Sequence, residues 1–226
     1  MSPKRVLPTA ALAIVAVLPL RAAVLVGFDD LSSPPALDSA TGLQFANGSS
    51  VYAGVTWDSR TIVVGKNYRV DTGTPGPLFG IPHSGDFFIT NETTDGGDAL
   101  TLKTSMVLTG AWFGRNEYYG FGAGADQITI VAMHDATPLG SVQFDLPEDH
   151  PGQPEPLSFV DTGVFTTLSG INGYLINRRE LGSQSGNWVA DDFQFELAVV
   201  PEPATYTVAA GLGLAAWAFL RRRTAS

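Results

Sequence analysis

The sequence predicts an all-β protein: a two-sheet antiparallel sandwich of jelly-roll type, with a signal helix at its N-terminal end and a transmembrane helix at its C-terminal end. Three observations lead there. Between residues 24 and 200, short runs of β-branched and aromatic residues recur, separated by Gly, Pro, Asn and Asp. Apolar and polar positions alternate, as in a half-buried strand, in Gln127-Ile128-Thr129-Ile130-Val131 and in Asp192-Phe193-Gln194-Phe195-Glu196-Leu197. Outside the two ends no helical stripe of about ten or more residues appears.

The elements follow in chain order. Residues 1–23 open with Lys4 and Arg5, continue through the apolar run Val6–Leu20 and close on Arg21, Ala22 and Ala23. That order of charge, apolar core and small-residue exit is the pattern of a secretory signal peptide, cut after Ala22 or Ala23. Its apolar part, interrupted by Pro8 and Pro19, is shorter than the roughly 20 residues of a membrane-spanning helix.

The body, residues 24–199, reads as strands near Val24–Phe28, Val51–Trp57, Thr61–Val64, Asp86–Thr90, Ala99–Lys103, Met106–Phe113, Gln127–His134, Leu139–Asp145, Leu157–Val160, Ile171–Ile176 and Trp188–Leu197. Its core is expected from Phe28, Val55, Trp57, Phe88, Leu102, Trp112, Ile128, Ile130, Phe144, Ile176, Phe193 and Phe195. Pro147–Pro156, with four prolines and three acidic residues, reads as an exposed, stiff loop.

The third segment, residues 200–226, begins Val200-Pro201-Glu202-Pro203. It continues through the apolar stretch Ala204–Leu220 and the cluster Arg221-Arg222-Arg223. The two prolines end any regular element arriving from the body. Ala204–Leu220 is apolar all round rather than amphipathic, so it reads as a short transmembrane helix. Arginines after it hold that flank in the cytoplasm and put the body on the far side of the inner membrane, as the N-terminal signal does.

This arrangement, an N-terminal signal paired with Pro201-Glu202-Pro203, an apolar span and a terminal Arg221–Arg223 cluster, resembles the PEP-CTERM sorting signal of exopolysaccharide-producing Gram-negative bacteria. The resemblance implies that exosortase, a membrane protease-transpeptidase, is the partner. It makes Pro201, Glu202 and Pro203 the recognition element and implies passage from a periplasmic, membrane-anchored precursor to the cell surface or extracellular matrix. Gly27-Phe28-Asp29-Asp30-Leu31 and Trp188-Val189-Ala190-Asp191-Asp192-Phe193 likewise resemble segments of extracellular, lectin-like and carbohydrate-binding β-sandwiches.

Charge narrows the partners of the body. Setting aside Lys4, Arg5, Arg21 and Arg221–Arg223 from the 13 basic residues, and Glu202 from the 22 acidic ones, leaves 7 against 21, a net charge of −14. Such a surface disfavours nucleic acid and other anionic polymers unless divalent cations intervene. The absence of cysteine excludes disulfides, thiolate metal sites and cysteine nucleophiles.

Two acidic doublets are the candidate metal ligands: Asp29-Asp30, directly after the first strand, and Asp191-Asp192, just before the alternating run of the last. In carbohydrate-binding jelly rolls the first and last strands lie side by side, and carboxylates of both bind a structural calcium. Calcium takes six to eight oxygens. Strand alternation lets only one residue of each doublet face the ion unless a bulge intervenes. Asp95-Gly96-Gly97-Asp98 is first of all a turn.

Arg115, Asn116, Glu117, Tyr118 and Tyr119 form a polar-aromatic loop suited to stacking on sugar rings and bonding hydroxyls, and they are the glycan-binding candidates. No catalytic residue is assigned. No Glu has an Asp two positions later, which removes the E-x-D-x-x-E strand motif; Gly182-Ser183-Gln184-Ser185-Gly186 puts Gln at the nucleophile position of a G-x-S-x-G elbow. His83, His134 and His150 are scattered and read as loop or edge residues. The expectation is a non-enzymatic exported protein associated with exopolysaccharide, with a carbohydrate-binding module recognising a surface glycan as the alternative and a polysaccharide-active enzyme ranked below both.

Overall fold

Ala23–Val26 (β1) and Trp188–Glu196 (β13) are the first and last strands, and they pair antiparallel, with Ala23 opposite Glu196 and Val26 opposite Phe193. The computed structural model in which they are seen describes residues 22–69, 78, 80–91, 99–116, 125–147, 156–179 and 187–197. The expected signal helix, transmembrane helix and sorting motif lie outside the described residues. Among those described, no helix is long and apolar enough to cross a membrane.

The remaining strands are Ala40–Gly42 (β2), Val51–Tyr52 (β3), Val55–Trp57 (β4), Thr61–Gly65 (β5), Phe87–Asn91 (β6), Leu100–Lys103 (β7), Val107–Arg115 (β8), Gln127–His134 (β9), Thr137–Asp145 (β10), Ser158–Asp161 (β11) and Gly173–Arg179 (β12). They form two antiparallel sheets. One runs β11-β8-β13-β6-β5-β2 with β1 added beside β13; the other runs β10-β9-β12-β7-β4-β3. A five-residue helix, Leu43–Asn47 (α1), buries Leu43 and Ala46, and a 3-10 turn at Gly163–Thr167 buries Phe165.

The expected strands recur with boundaries moved by a few residues, except at Val51–Trp57. There Ala53 (φ 50°) and Gly54 (φ 77°) take left-handed backbone and split the run into the hairpin β3–β4. Strand β2 and helix α1 are too short for periodicity to mark.

Between the sheets the core is aromatic. Phe28, Trp57 and Phe193 meet edge to face with centroids 5.1–6.3 Å apart, and Phe113 joins Phe193 (5.8 Å) to Trp188 (5.4 Å). Most of the expected core residues lie in this interior, with Phe144 partly buried against it. Trp112 and Phe88 do not. They point to the other side of the seven-stranded sheet, where Phe88 packs with Val64, Leu157 and Val189, and Tyr68 and half-buried Trp112 rest against that cluster. Part of the β5–β6 connection covers this outer surface: at Gly80 a side chain would meet the Phe88 ring and Val189. One sheet is therefore apolar on both faces, which alternation alone does not disclose.

Tyr174, fully buried on β12, joins the two sheets. Its hydroxyl accepts the N–H of Leu108 at 2.8 Å and donates to the carbonyl of Met106 at 3.0 Å. Tyr174→Phe keeps the ring but leaves a buried donor and acceptor without a partner, so it is expected to cost about 1–3 kcal/mol. Urea unfolding at neutral pH checks this as a lower midpoint at unchanged slope.

Candidate functional site

Strand β13 departs from regular pairing where the second acidic doublet sits. Its register against β8 shifts between Asp191 and Gln194, and Asp192 takes left-handed backbone at φ 47°. That irregularity turns both Asp191 and Asp192 toward one segment, His83–Asp86, which strict alternation would forbid.

The contacts are specific. Asp191 accepts the N–H of Ser84 at 3.0 Å and that of Asp192 at 2.8 Å. Asp192 accepts the Ser84 hydroxyl at 3.0 Å and His83 Nδ1 at 2.7 Å. A carboxylate only accepts, so this nitrogen carries the proton. From the other end of the chain, Asp29 accepts the N–H of Asp86 at 2.6 Å. Gly85 sits between them at φ 60°, where any side chain would overlap the Asp29 carboxylate. Asp30 turns elsewhere, to the hydroxyl of Tyr52, which also reaches the Gly27 carbonyl. The doublets are thus three carboxylates clamping one loop, plus a fourth that stands apart.

Burial makes this clamp sensitive to charge. Asp191 is completely buried, and its pKa is pushed up to about 7: desolvation is the main cause and the charges of Asp192 and Asp29 add to it, against a lowering by the Ser84 N–H. Of the six carboxylate oxygens of Asp29, Asp191 and Asp192, five accept N–H or O–H groups of the protein. Among the described residues no group of three or more His, Asp or Glu side chains is arranged to hold a metal ion.

His83, read from the sequence as an ordinary loop residue, is a working part of this seam. Its ring stacks on Trp112 at 3.6 Å and 14°, and Trp112 continues to Phe159 at 5.4 Å. Phe159 is partly exposed there. The pattern of neighbours in the sequence holds no signal for this role, because the histidine's partners are about 30 and 109 positions away.

The glycan-binding candidates divide. Arg115 and Asn116 are structural: Arg115 Nε donates to the Pro147 carbonyl at 2.6 Å, and Asn116, 2% exposed, donates through Nδ2 to Thr90 Oγ1 at 2.8 Å. Glu117, Tyr118 and Tyr119 lie outside the described residues, as do Asp95–Asp98 and His150. Asn116 belongs to a buried amide cluster absent from the sequence-based expectations. Asn91 Oδ1 accepts the Trp188 N–H at 2.9 Å, Asn91 Nδ2 reaches Asn187 Oδ1 at 3.4 Å, and the Asn187 carbonyl accepts N–H groups of Asn116 (3.2 Å) and Ala125 (2.8 Å). The bases of three chain segments, 92–98, 117–124 and 180–186, are tied together there. The base of a fourth segment, 148–155, is tied alongside, since the Leu146 N–H donates to the Asp126 carbonyl at 2.9 Å.

This cluster lies at one end of β13, at Trp188. The two ends of the body meet at the other: the Leu197 N–H donates to the Ala22 carbonyl at 3.1 Å. Nine strand residues separate the ends, about 30 Å.

A pH dependence follows from Asp191. Its folded-state pKa lies above the unfolded value, so folding favours the neutral form and stability falls as pH rises from about 4 through 7. With a chelator present, Asp191→Asn is expected to lose that decline, its melting temperature relative to the parent rising between about pH 4 and 7 and levelling off above that. A constant difference between the two proteins across this range contradicts the assignment.

Comparison with known proteins bears on the fold and on the C-terminal segment. A crystal structure of a DUF4465 family protein from Bacteroides caccae is similar with TM-score 0.50 at 14% identity, over 77% of this chain and 98% of that one. The cleaved adhesin domain of Lys-gingipain is similar with TM-score 0.38 at 13% identity, over 77% and 97% of the two chains. An arabinose-bound α-L-arabinofuranosidase gives TM-score 0.41 at 10% identity, over 80% of this chain and 27% of that one. At such identities the first likeness concerns the fold alone. No curated protein matches the sequence. Residues 199–223 match the PEP-CTERM protein-sorting motif, so the chain carries an exosortase sorting signal and is an exported precursor anchored at its C-terminal side.

Proposed function

We propose that this is a non-enzymatic protein sorted by exosortase to the cell surface or extracellular matrix, where it associates with exopolysaccharide through the loop-bearing end of its sandwich. One observation carries the reading. The Ala22–Leu197 pair gathers both connections to the flanking segments at one end, and the amide cluster of Asn91, Asn116 and Asn187 fixes three loop bases at the other. Rigid sheets that present loops at the end away from the chain's attachments are the usual geometry of recognition domains.

The segments rooted at that end, 92–98, 117–124, 148–155 and 180–186, contain eight acidic residues and no Lys or Arg. A polyanion is therefore a poor ligand, whereas neutral sugar faces fit the tyrosines of 117–124. The alternative, a dedicated carbohydrate-binding module, rests on the same segment: Asn116 anchors the backbone immediately before Glu117, Tyr118 and Tyr119. Calcium at the acidic doublets remains part of the proposal as a structural cofactor, because a divalent ion would neutralise the carboxylates that burial disfavours; to take it up, Asp29, Asp191 and Asp192 would have to exchange the N–H and O–H groups they now accept for the ion.

Three measurements test these parts separately. Deleting residues 201–226 is expected to change release and processing; an identical fate for both forms overturns the sorting role. Retention on exported polysaccharide is expected for the parent and reduced at least tenfold in Tyr118→Ala/Tyr119→Ala, while no retention by the parent overturns the glycan reading. Calcium at 100 times its Kd is expected to stabilise by about 2.7 kcal/mol, read as a higher melting temperature than in chelator. An unchanged midpoint at millimolar calcium removes the cofactor.

A further inference from the structure

We infer that the outer face of the seven-stranded sheet carries a sugar-binding shelf of its own, made by Phe159, Trp112 and His83, which takes a neutral sugar unit of the exported polysaccharide. The inference rests on the exopolysaccharide reading above but not on the tyrosines of 117–124.

The shelf begins in the sequence of β8, Gly110-Ala111-Trp112-Phe113-Gly114. Ala111 and Phe113 enter the core, and Trp112 stands on the other side of the sheet with a glycine two residues away in each direction. Those glycines make room for β11. A side chain at Gly110 would overlap the Phe159 ring, and one at Gly114 would overlap Leu157. Phe159 thus lies across β8 rather than standing off it, with its ring 5.4 Å from that of Trp112. Trp112 in turn carries the His83 ring at 3.6 Å and 14°. Phe159 is 37% exposed and the His83 side chain 36%, with Trp112 half-buried between them in the chain of contacts.

Polar groups around these rings are fixed and of one kind. His83 Nδ1–H donates to Asp192, and the next residue, Ser84, is held by both Asp191 and Asp192, so the imidazole cannot turn away from Trp112. In the uncharged ring the proton on Nδ1 makes Nε2 an acceptor, and no partner for it stands among the described residues. Asp161, exposed and opposite Gly110 in register, lies beside the Phe159 ring, and one of its oxygens accepts the Gly163 N–H at 2.8 Å. Segments 80–86, 107–114 and 157–163 contain no Lys or Arg.

Flat rings edged by hydrogen-bond acceptors fit a ligand with apolar C–H faces and many O–H donors, which is an uncharged sugar; anionic chains meet only carboxylates. A protein partner needs about 800 Å² on each side of a standard interface. Three partly covered rings offer far less than that, but enough for one sugar ring. Trp112 also stands three residues before Arg115, about 10 Å along β8 from the root of 117–124. One polysaccharide chain can therefore touch both places, and two modest contacts on one rigid sheet retain it better than either alone.

The test uses the full chain in detergent and its exported polysaccharide, divided by anion exchange into neutral and anionic chains. Neutral chains are expected to retain the parent, Phe159→Ser to weaken retention at least tenfold, and Phe159→Tyr to restore it. Both variants change a surface residue of an edge strand and are expected to melt as the parent does. The second readout is acrylamide quenching in a Trp217→Phe background, where Trp57 (2%) and Trp188 (1%) are buried and Trp112 reports alone. Neutral chains are expected to lower its quenching at least twofold, and to do so in Tyr118→Ala/Tyr119→Ala as well. Unchanged quenching, or equal retention of the parent and Phe159→Ser, overturns the inference and leaves the loop reading standing. Protection that vanishes with the tyrosines overturns the shelf as a separate site, and protection by the anionic chains alone overturns the ligand class. No retention of the parent on either fraction overturns the exopolysaccharide reading itself, and the shelf with it.

Discussion

Pairing along both edges of β13 organises the protein. This strand bonds to β8 on one side and to β6 and β1 on the other, and its side chains Trp188, Phe193 and Phe195 supply much of the aromatic interior. A strand so placed cannot shift register without moving the core, the loop clamp and the junction of the chain ends together. The irregularity at Asp191–Gln194 is the local departure that this arrangement tolerates. It brings two adjacent carboxylates to one loop, at the cost of left-handed backbone at Asp192 and an acid buried against its preference.

The same strand separates two kinds of surface. Where it begins, the Asn91 side chain satisfies the Trp188 N–H and the Asn187 carbonyl takes those of Asn116 and Ala125. Where it ends, Ala22 and Leu197 close the body with one hydrogen bond. Between them the His83–Asp86 part of the β5–β6 connection is drawn over the outer sheet face by Asp29, Asp191 and Asp192 and by the stack of His83 on Trp112. A cysteine-free exported domain is thus held by core packing and by polar clamps spanning its first and last strands.

How much of this was legible beforehand depended on the range of the interaction. Strands with alternation, such as Gln127–His134, and breaks at Gly and Pro follow from local rules, and the sorting segment is a contiguous motif. The acidic doublets were visible, and so was the need for a bulge to use both members of one. Their division was not, since Asp30 is taken by Tyr52 across 22 positions. Trp112 and Phe88 read as interior because aromatic residues in strands usually are; their outward placement depends on a covering connection that period-2 reasoning does not include. The amide cluster was missed because Asn reads as a turn former, and only tertiary pairing reveals three asparagines bonded in the interior.

The account is tested most directly by amide hydrogen exchange on peptides covering residues 22–27 and 188–197. If β1 and β13 close the body as one unit, both peptides belong to the slowest-exchanging class and lose protection together as denaturant is raised. Exchange of 22–27 at the rate of an unstructured chain, with 188–197 still protected, would contradict it.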